Sequence, residues 1–308
     1  MHVAVLGSGA MGSLFGGYLA ASGVTVTLVD IWEEHVRVLD EDGLTVETPE
    51  GETNIIPVDA TTDPGDADDA DVVLVFVKST HTAEAVAGAE SLVADADVLT
   101  FQNGLGNPEK IANTVDEEAI IAGVTAHGST LVGPGHIRHA GRGPTTLGRY
   151  FTENDDRVDD IAACLSEAGI QTEVSEHIEV DIWEKFIVNV GINAITALAR
   201  VKNGKLATVP PGKRLLTAAV AEAVSVAEAE GYAVRDDIEE YVLHIAEQTG
   251  QNRSSMRQDV EAGAPTEVEA INGEVVRRGE RAGIATPVNR TLADLIRLAE
   301  AGEMYGNS

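Results

Sequence analysis

The sequence predicts an α/β domain with a mostly parallel sheet, followed by an all-α domain. Up to Ser175, short apolar strands alternate with helical patterns, which is typical of strands joined by helical crossovers. After Ser175, every periodic segment has helical spacing. We therefore expect one domain over residues 1–175 and a second over residues 176–308.

Length and composition indicate a globular protein. The 308 residues are 44% hydrophobic, enough for two domains with substantial cores. We find no apolar run of membrane-spanning length and no signal peptide. The single cysteine, Cys164, excludes an intramolecular disulfide and a cysteine metal cluster, and we predict no metal site. These features favour a cytoplasmic location.

The net charge of −30 limits the partners that the chain can bind. Such a charge repels nucleic acid and anionic membranes, so we expect neither as a partner. Molar salt makes the charge tolerable, because screening then acts within about 3 Å. The acids are spread through the whole chain, which favours a halophilic protein in a salty cytoplasm over an acidic face for one partner.

A glycine-rich turn joins the first predicted strand, His2–Leu6, to a helix that ends near Ser22. The turn reads Gly7-Ser8-Gly9-Ala10-Met11-Gly12 and matches the G-x-G-x-x-G pattern of Rossmann-type dinucleotide-binding domains. In that pattern the three glycines permit a tight turn, close approach of a pyrophosphate, and close helix–strand packing. The helix N-terminus would then offer N–H groups to the phosphates.

Asp30 closes the next predicted strand, Val24–Val29, 18 residues after Gly12. An acid at this position of the fold hydrogen-bonds the adenosine ribose. The alternative is that Asp30 caps a helix beginning near Trp32.

Two further strands end in polar residues at the edge where open α/β sheets bind ligands. Lys78 follows the apolar strand Val72–Val77, and Asn103 follows the strand Asp97–Phe101. We expect both near a cofactor, although Lys78 could be a solvated loop lysine and Asn103-Gly104 a simple turn.

The other predicted elements complete both domains. A hairpin is expected around Gly51, and Thr266 is expected to cap the penultimate helix. The remaining predicted strands are Leu44–Thr48, Thr53–Ala60, Ile120–His127 and Ile170–Val174. The remaining predicted helices are Pro211–Glu230, Asp236–Thr249, Glu267–Ala282 and Asn289–Ala301.

A polar stripe crosses the apolar segment Trp183–Asn193, which reads as a buried helix. Lys185, Asn189 and Asn193 recur every four residues, and this spacing stacks them on one face. Burying polar groups in an apolar helix costs free energy unless they form hydrogen bonds. They either bond neighbouring backbone within a core or face a wet cleft, with Lys185 as an acid or charge clamp.

Taken together, the motifs resemble the ketopantoate reductases, also called 2-dehydropantoate 2-reductases. The resemblance runs in order over nearly the whole chain. It rests on the glycine turn, Gln102-Asn103-Gly104, Trp183-Glu184-Lys185 with Asn189 and Asn193, Asn203-Gly204, Asn252 to Asp259 with Ser254-Ser255-Met256, Thr266-Glu267, and Ile271-Asn272-Gly273.

The resemblance implies a 6-phosphogluconate-dehydrogenase-like architecture and the reduction of ketopantoate to (R)-pantoate, on the route to pantothenate and coenzyme A. It implies that Lys185 is the proton donor and that the reaction occurs in an interdomain cleft. It assigns substrate contacts to Asn103, Asn189, Asn193, Asn203, Ser255 and Glu267. It assigns cofactor contacts to Lys78, Asn103, Ser129 and Glu267, in addition to the glycine turn and Asp30 that the pattern of the first domain already indicates.

The cofactor choice rests on one departure from the family pattern. Family members that prefer NADPH often carry an arginine just after the second strand, where this chain has Asp30-Ile31. A carboxylate there repels a 2′-phosphate and accepts a bond from a free hydroxyl. We therefore predict a preference for NADH, with NADPH as the alternative.

Other functions remain open from the sequence. One alternative is a reductase of the same architecture that acts on a different 2-keto acid. Another is a non-catalytic dinucleotide-sensing protein, which would have no need of Lys185 in an apolar helix. The sequence leaves a monomer and a homodimer both open.

Overall fold

The computed structural model describes residues 1–67 and 69–305. The chain forms two compact units. The first contains Met1–Gln102 and Gly106–Glu179, and the second contains Asn103–Leu105 and the residues from Val180 onward. The change of unit thus follows Glu179, four residues beyond the boundary expected from the sequence.

The first unit contains twelve strands and six α-helices among its described residues. The strands are β1 His2–Leu6, β2 Thr25–Val29, β3 Leu44–Glu47, β4 Thr53–Ile56, β5 Asp59–Thr61, β6 Val72–Val75, β7 Asp97–Thr100, β8 Ile120–Thr125, β9 Gly128–Gly133, β10 His136–Gly141, β11 Thr145–Arg149 and β12 Thr172–Val174. The helices are α1 Ala10–Ala21, α2 Glu33–Asp42, α3 Thr82–Gly88, α4 Glu90–Val93, α5 Asn107–Ile111 and α6 Asp156–Glu167.

Eight of these strands form the predicted mostly parallel sheet. Their order is β12-β11-β8-β7-β6-β1-β2-β5, and only the β11–β8 pair is antiparallel. All four residues of β6 are buried, as expected for a parallel strand covered on both faces. The carboxyl ends of β1, β2, β6 and β7 therefore lie along the same edge of the sheet.

A second, four-stranded sheet has the order β4-β3-β10-β9. The predicted hairpin is confirmed only in part. β3 and β4 pair antiparallel, but the second expected strand breaks after Ile56 and resumes as β5, which pairs parallel with β2. A turn sequence specifies a hairpin locally, whereas the transfer of β5 to another sheet depends on distant pairing partners.

Several predicted strands are shorter in the structure. β6 ends at Val75, β8 ends at Thr125 and β12 begins at Thr172. Apolar residues continue past these ends, but they pack as loops over the core; Ile170, for example, is fully buried without being in a strand. An apolar run in the sequence can therefore be longer than the strand, because residues beyond the last strand hydrogen bond are also buried.

The second unit is helical. Its helices are α7 Ile178–Ala199, which begins in the first unit, α8 Gly204–Thr208, α9 Pro210–Ala229, α10 Ile238–Gln248, α11 Ser255–Ala262, α12 Asn272–Ala282 and α13 Pro287–Tyr305. The prediction of one helix over Glu267–Ala282 is wrong. A 3-10 turn, Val268–Ala270, comes first and α12 starts after Ile271, whose ψ of −97° interrupts the helix. Thr266 Oγ1 accepts from the Val268 N–H at 3.2 Å and so begins the 3-10 turn.

The 22-residue α7 is the main core helix of the second unit. By length and composition it is apolar enough to cross a membrane, contrary to our expectation that no such run exists. However, 61% of its most apolar window is buried, and Trp183, Phe186, Ile187 and Val190 belong to the core of this unit. Its apolar composition is therefore explained by packing within the protein.

Candidate active site

The glycine turn of the first unit has the geometry of a phosphate-binding loop. Gly7 has a φ of +96°, and a Cβ on this residue would lie 2.7 Å from the Val77 nitrogen. A Cβ on Gly12 would lie 2.1 Å from the Gly7 carbonyl oxygen, so only glycine fits. A Cβ on Gly9 would meet nothing within 4 Å. The structure therefore leaves open space at the glycine that is expected to face a pyrophosphate.

The N-terminus of α1 lies within this glycine-rich segment. The helix begins at Ala10, followed by Met11, and its N-cap residue Gly9 has no side chain that could bond the first-turn N–H groups. These groups and the positive end of the helix dipole fit an anionic phosphate.

Ser8 is fully buried, and its carbonyl oxygen is held from two sides. It accepts hydrogen bonds from Ser13 Oγ at 2.6 Å and from His35 Nε2 at 2.8 Å. His35 Nδ1 accepts from the Gly135 N–H at 2.9 Å, so the ring proton must be on Nε2. Sequence reasoning missed His35. The available signal was a histidine beside Val36 on the buried face of the amphipathic α2.

Asp30 follows β2, and its carboxylate lies beside the glycine turn. Oδ2 accepts from Ser8 Oγ at 3.4 Å, and Oδ1 accepts from the Trp32 N–H at 3.0 Å. The N-cap residue of α2 is Trp32 and not Asp30, so the carboxylate does not cap the helix directly. The next residue, Ile31, is 94% exposed.

Two more residues follow strands on the same edge of the sheet. Lys78 is exposed, three residues after β6 ends. Gln102, two residues after β7, donates from Nε2 to the Thr82 hydroxyl at 2.9 Å and to the Val77 carbonyl oxygen. Sequence reasoning did not give Gln102 this role of tying the ends of β6 and β7 together.

Ser129 lies apart from this edge, in β9 of the four-stranded sheet, where it pairs with His139. Its hydroxyl oxygen is buried and has no hydrogen-bond partner among the described residues. The expected backbone contact of Ser129 with a cofactor stays a prediction.

In the second unit, α7 carries the predicted polar stripe. Lys185 and Asn189 are half-buried, and Asn193 is 6% exposed. Over the part of the chain that the structure describes, the amide groups of Asn189 and Asn193 have no hydrogen-bond partner within the protein. Amides that reach solvent and have no partner within the protein are suited to bind a polar ligand.

Lys185 and Glu267 are coupled electrostatically. Burial lowers the pKa of the Lys185 ammonium to about 8, and the attraction of the Glu267 carboxylate opposes this shift. Glu267 Oε2 also accepts from Asn103 Nδ2 at 3.2 Å. The structure thus brings Asn103, Glu267 and Lys185 together within the second unit.

The turn that carries Asn103 packs against the 3-10 helix next to Glu267. Gly104 has a φ of +86°, and a Cβ on it would lie 2.7 Å from the Ala270 carbonyl oxygen. The Asn-Gly turn is therefore fitted to the helical unit as well as being permissive in conformation.

Asn203 is 7% exposed and is bonded to the residue that follows α10. Its Nδ2 donates to Thr249 Oγ1 at 3.0 Å, while its Oδ1 is buried without a partner among the described residues. An unpaired buried acceptor is costly, and a ligand hydroxyl would satisfy it.

Ser254 and Ser255 have different environments. Ser254 is buried, caps α11 by accepting from the Arg257 N–H at 3.2 Å, and accepts from Thr196 Oγ1 at 2.8 Å. Ser254 Oγ also lies 3.5 Å from the Asn193 carbonyl oxygen. Ser255, the first residue of α11, is exposed. The contacts with α7 are made by the preceding residue, Ser254. Sequence reasoning selected Ser255 and missed the anchoring role of Ser254.

The two units define a class of protein. The first has a mostly parallel sheet with a glycine turn that leads into a helix, and the second has a lysine of lowered pKa beside two amides without partners. Among the described residues, no three His, Cys, Asp or Glu side chains lie together in positions that could hold a metal ion. The sheet, the glycine turn and the lysine together are typical of a nicotinamide-dependent oxidoreductase.

The chain belongs to the ketopantoate reductase family. "Ketopantoate reductase PanE/ApbA" matches residues 3–151, and "Ketopantoate reductase PanE/ApbA C terminal" matches residues 177–300. The predicted resemblance is therefore confirmed, and the chain is an oxidoreductase that uses a nicotinamide cofactor.

Relatives match over nearly full length. The 2-dehydropantoate 2-reductase of Halobacterium salinarum is 48% identical over 97% of this chain and 99% of that protein. The one from Archaeoglobus fulgidus is 37% identical over 98% of both chains. The acidic composition agrees with the predicted halophilic character and with the Halobacterium relative.

Solved structures share the fold. A PanE/ApbA family ketopantoate reductase from Ralstonia eutropha JMP134 has a TM-score of 0.90 and 34% identity over 99% of this chain and 100% of that chain. D-mandelate dehydrogenase with NADH and anilino(oxo)acetate has a TM-score of 0.92 and 29% identity over the same shares.

Proposed function

We propose that this chain is a 2-dehydropantoate 2-reductase, which reduces ketopantoate to (R)-pantoate in pantothenate and coenzyme A biosynthesis. The observation that carries the proposal is the Lys185–Asn189–Asn193 stripe, in which a lysine with a pKa of about 8 accompanies two unpaired amides. A dinucleotide-sensing protein would have no use for such a group.

The residues of the first unit fit a nicotinamide dinucleotide. The open side of Gly9 and the uncapped start of α1 would hold the pyrophosphate. Asp30 would accept a hydrogen bond from the adenosine ribose, and Lys78 and Ser129 would make further contacts. Bound there, the reduced nicotinamide supplies the hydride.

Lys185 is the proton donor in this proposal. A ketone that accepts a hydride develops negative charge on its oxygen, and an ammonium group stabilises that charge and donates a proton. A pKa of about 8 leaves Lys185 mostly protonated at neutral pH, yet more acidic than an ordinary lysine. Glu267 keeps the ammonium charged by opposing the effect of burial.

The other polar groups of the second unit bind the keto acid. Asn189 and Asn193 are donors for the carbonyl and carboxylate oxygens, and Ser255 offers an exposed hydroxyl. The Oδ1 atom of Asn203, which has no partner among the described residues, would accept a hydrogen bond from the ketopantoate hydroxyl. Asn103, already bonded to Glu267, contacts both substrate and cofactor.

The test is turnover with purified protein in about 2 M KCl, where screening suits a chain of this charge. Oxidation of the reduced cofactor should be rapid with ketopantoate and absent without it. Binding of the cofactor without turnover of any 2-keto acid would favour the sensing function.

A related reductase for a different 2-keto acid is the second candidate. It is favoured by the likeness to D-mandelate dehydrogenase. The discriminating measurement compares kcat/KM for ketopantoate and for phenylglyoxylate, the keto acid that corresponds to mandelate. A higher value for phenylglyoxylate would replace the assigned substrate.

We further propose NADH as the preferred cofactor, because Asp30-Ile31 stands where an arginine would hold a 2′-phosphate. The high acidic charge supports a cytoplasmic protein without nucleic-acid or membrane partners.

A further inference from the structure

The peptide bond between Ser8 and Gly9 is held through its carbonyl group. The Ser8 carbonyl oxygen accepts from Ser13 Oγ at 2.6 Å and from His35 Nε2 at 2.8 Å, so both of its lone pairs are used. The two donors are buried, because Ser13 is 0% exposed and His35 is 1% exposed. The carbonyl group is therefore fixed toward the interior of the first unit.

This arrangement also determines the direction of the Gly9 N–H group. The Ser8–Gly9 peptide bond is trans, and in a trans peptide the C=O and N–H groups point in opposite directions. The Gly9 N–H therefore points away from Ser13 and His35. It has no acceptor among the described residues, and Gly9 is the N-cap residue of α1. It thus joins the free N–H groups at the start of this helix, which suit a phosphate.

The glycine at position 9 makes this peptide bond easy to flip. A flip changes the ψ of Ser8 and the φ of Gly9, and a glycine tolerates such a change because it has no Cβ. In the flipped state the Ser8 carbonyl oxygen, the negative end of the peptide dipole, would face the phosphate side. The glycine that admits a phosphate therefore requires a restraint on its own peptide bond.

The His35 ring can supply this restraint because it is itself fixed. Its Nδ1 accepts from the Gly135 N–H at 2.9 Å. The ring also stacks on Trp32, with centroids 5.3 Å apart and planes 10° from parallel. Gly135 lies in the turn between β9 and β10, so His35 connects the four-stranded sheet to the glycine turn.

We propose that His35 is a positioning residue for the dinucleotide: its Nε2–H holds the Ser8 carbonyl group so that the Gly9 N–H faces the pyrophosphate. This inference rests on the proposed function, in which the glycine turn holds the pyrophosphate. His35 is almost completely buried and acts through Ser8. The four-stranded sheet thereby gains a function, because its β9–β10 turn orients the His35 ring.

A buried histidine can also serve only to stabilise the fold. In that case the loss of either ring nitrogen would lower stability, and cofactor affinity would not depend on which nitrogen is lost. The positioning role predicts different effects, because Nε2 bonds the glycine turn and Nδ1 bonds only Gly135. Amide side chains of two lengths separate the nitrogens: glutamine places an N–H donor near the Nε2 position, and asparagine places an acceptor near the Nδ1 position.

The test is titration of the full chain with NADH in about 2 M KCl, combined with thermal unfolding. His35→Asn can accept from the Gly135 N–H but does not reach Ser8, so the NADH Kd should rise about five- to tenfold for one lost hydrogen bond. His35→Gln keeps a donor for the Ser8 carbonyl oxygen, so its Kd should stay within about twofold of the wild type. The Tm should fall in both variants, because each loses one hydrogen bond and the stacking on Trp32.

Ser13→Ala tests the same carbonyl group if His35→Asn does not fold. It removes the other donor and suits a helix, and it should raise the NADH Kd about three- to fivefold. An unchanged Kd in folded Ser13→Ala would contradict the restraint on the Ser8 carbonyl group.

Competition against NADH locates the effect within the dinucleotide. His35→Asn should weaken the binding of ADP and leave that of adenosine unchanged, because adenosine has no pyrophosphate. The kcat at saturating NADH should also be unchanged. An equal loss for ADP and adenosine would move the effect to the adenosine ribose beside Asp30 and overturn the proposal.

The matched control is Thr172→Val, which removes the buried hydrogen bond from Thr172 Oγ1 to the Ile170 carbonyl oxygen at the edge strand β12. It should lower the Tm and leave the NADH Kd unchanged. Equal Kd values for His35→Asn and His35→Gln would overturn the positioning role, as would a matching loss of affinity in Thr172→Val. A wild type that binds no NADH would instead refute the cofactor site on which the inference rests.

Discussion

Asn103 Nδ2 donates a hydrogen bond of 3.2 Å to Glu267 Oε2, across 164 residues of sequence. Asn103 follows a strand of the parallel sheet in the chain, yet it belongs to the helical unit. Glu267 is also the carboxylate that opposes the lowering of the Lys185 pKa. This hydrogen bond therefore links Asn103 to the carboxylate that acts on the proposed proton donor.

Replacing Lys185 by alanine should lower kcat by about 100-fold or more, the usual contribution of a positioned general acid. The cofactor dissociation constant should change little, because the glycine turn lies in the other unit. Steady-state kinetics and cofactor titration measure the two effects. Lys213→Ala, which removes an exposed lysine of α9, is the control; near-normal turnover of Lys185→Ala would remove Lys185 from the mechanism.

The pH dependence of reduction should follow the Lys185 pKa. A donor must be protonated, so kcat should fall as the pH rises through about 8. Glu267→Gln removes the attraction that raises this pKa, so the fall should begin at a lower pH. Lys185→Arg should show no such fall, because arginine stays protonated. An identical alkaline limb in wild type and Glu267→Gln would show that Glu267 does not act on Lys185.

Alanine substitutions of Ser255 and of the adjacent Ser254 should affect different properties, substrate binding in the first case and folding stability in the second. Ser255→Ala should raise KM for ketopantoate by about tenfold, for one lost hydrogen bond to a charged group, and leave the free energy of unfolding unchanged. Ser254→Ala should lower the free energy of unfolding by about 1–2 kcal/mol, because it removes a helix cap and the partner of buried Thr196. An unchanged KM in Ser255→Ala would contradict the substrate role.

Gly9→Ala and Gly12→Ala should fail in different ways. A Cβ on Gly9 meets open space, so Gly9→Ala should keep the wild-type Tm and bind the cofactor more weakly. A Cβ on Gly12 would lie 2.1 Å from the Gly7 carbonyl oxygen, so Gly12→Ala should cost about 1–3 kcal/mol of stability. Thermal unfolding and cofactor titration test both; full cofactor affinity in Gly9→Ala would remove the turn from the binding site.

Asp30 should set the cofactor preference. A 2′-phosphate beside its carboxylate places like charges close together, at a cost of about 1–3 kcal/mol in a partly exposed site. The wild type should therefore have a higher kcat/KM with NADH than with NADPH, and Asp30→Ala should narrow the difference. A wild-type preference for NADPH that Asp30→Ala leaves unaltered would limit Asp30 to its bonds with Ser8 and Trp32.

The sequence by itself determined the features that depend on local spacing. The distances between Gly7, Gly9 and Gly12 specify a turn into a helix, and continuous apolar runs specify buried parallel strands. The four-residue recurrence of Lys185, Asn189 and Asn193 specifies a common helix face. These features follow from backbone geometry over a few residues, and motifs in the same order carried the family resemblance.

Only the tertiary structure decided which distant groups meet. It moved β5 from the hairpin into the parallel sheet and joined His35 to the Ser8 carbonyl oxygen. It joined Asn103 to Glu267 by a hydrogen bond, and it joined Ser254, the residue before the exposed Ser255, to Thr196 of α7. Such partners are separated by up to 164 residues, and their pairing depends on long-range packing and on the satisfaction of buried polar groups, which no local spacing encodes.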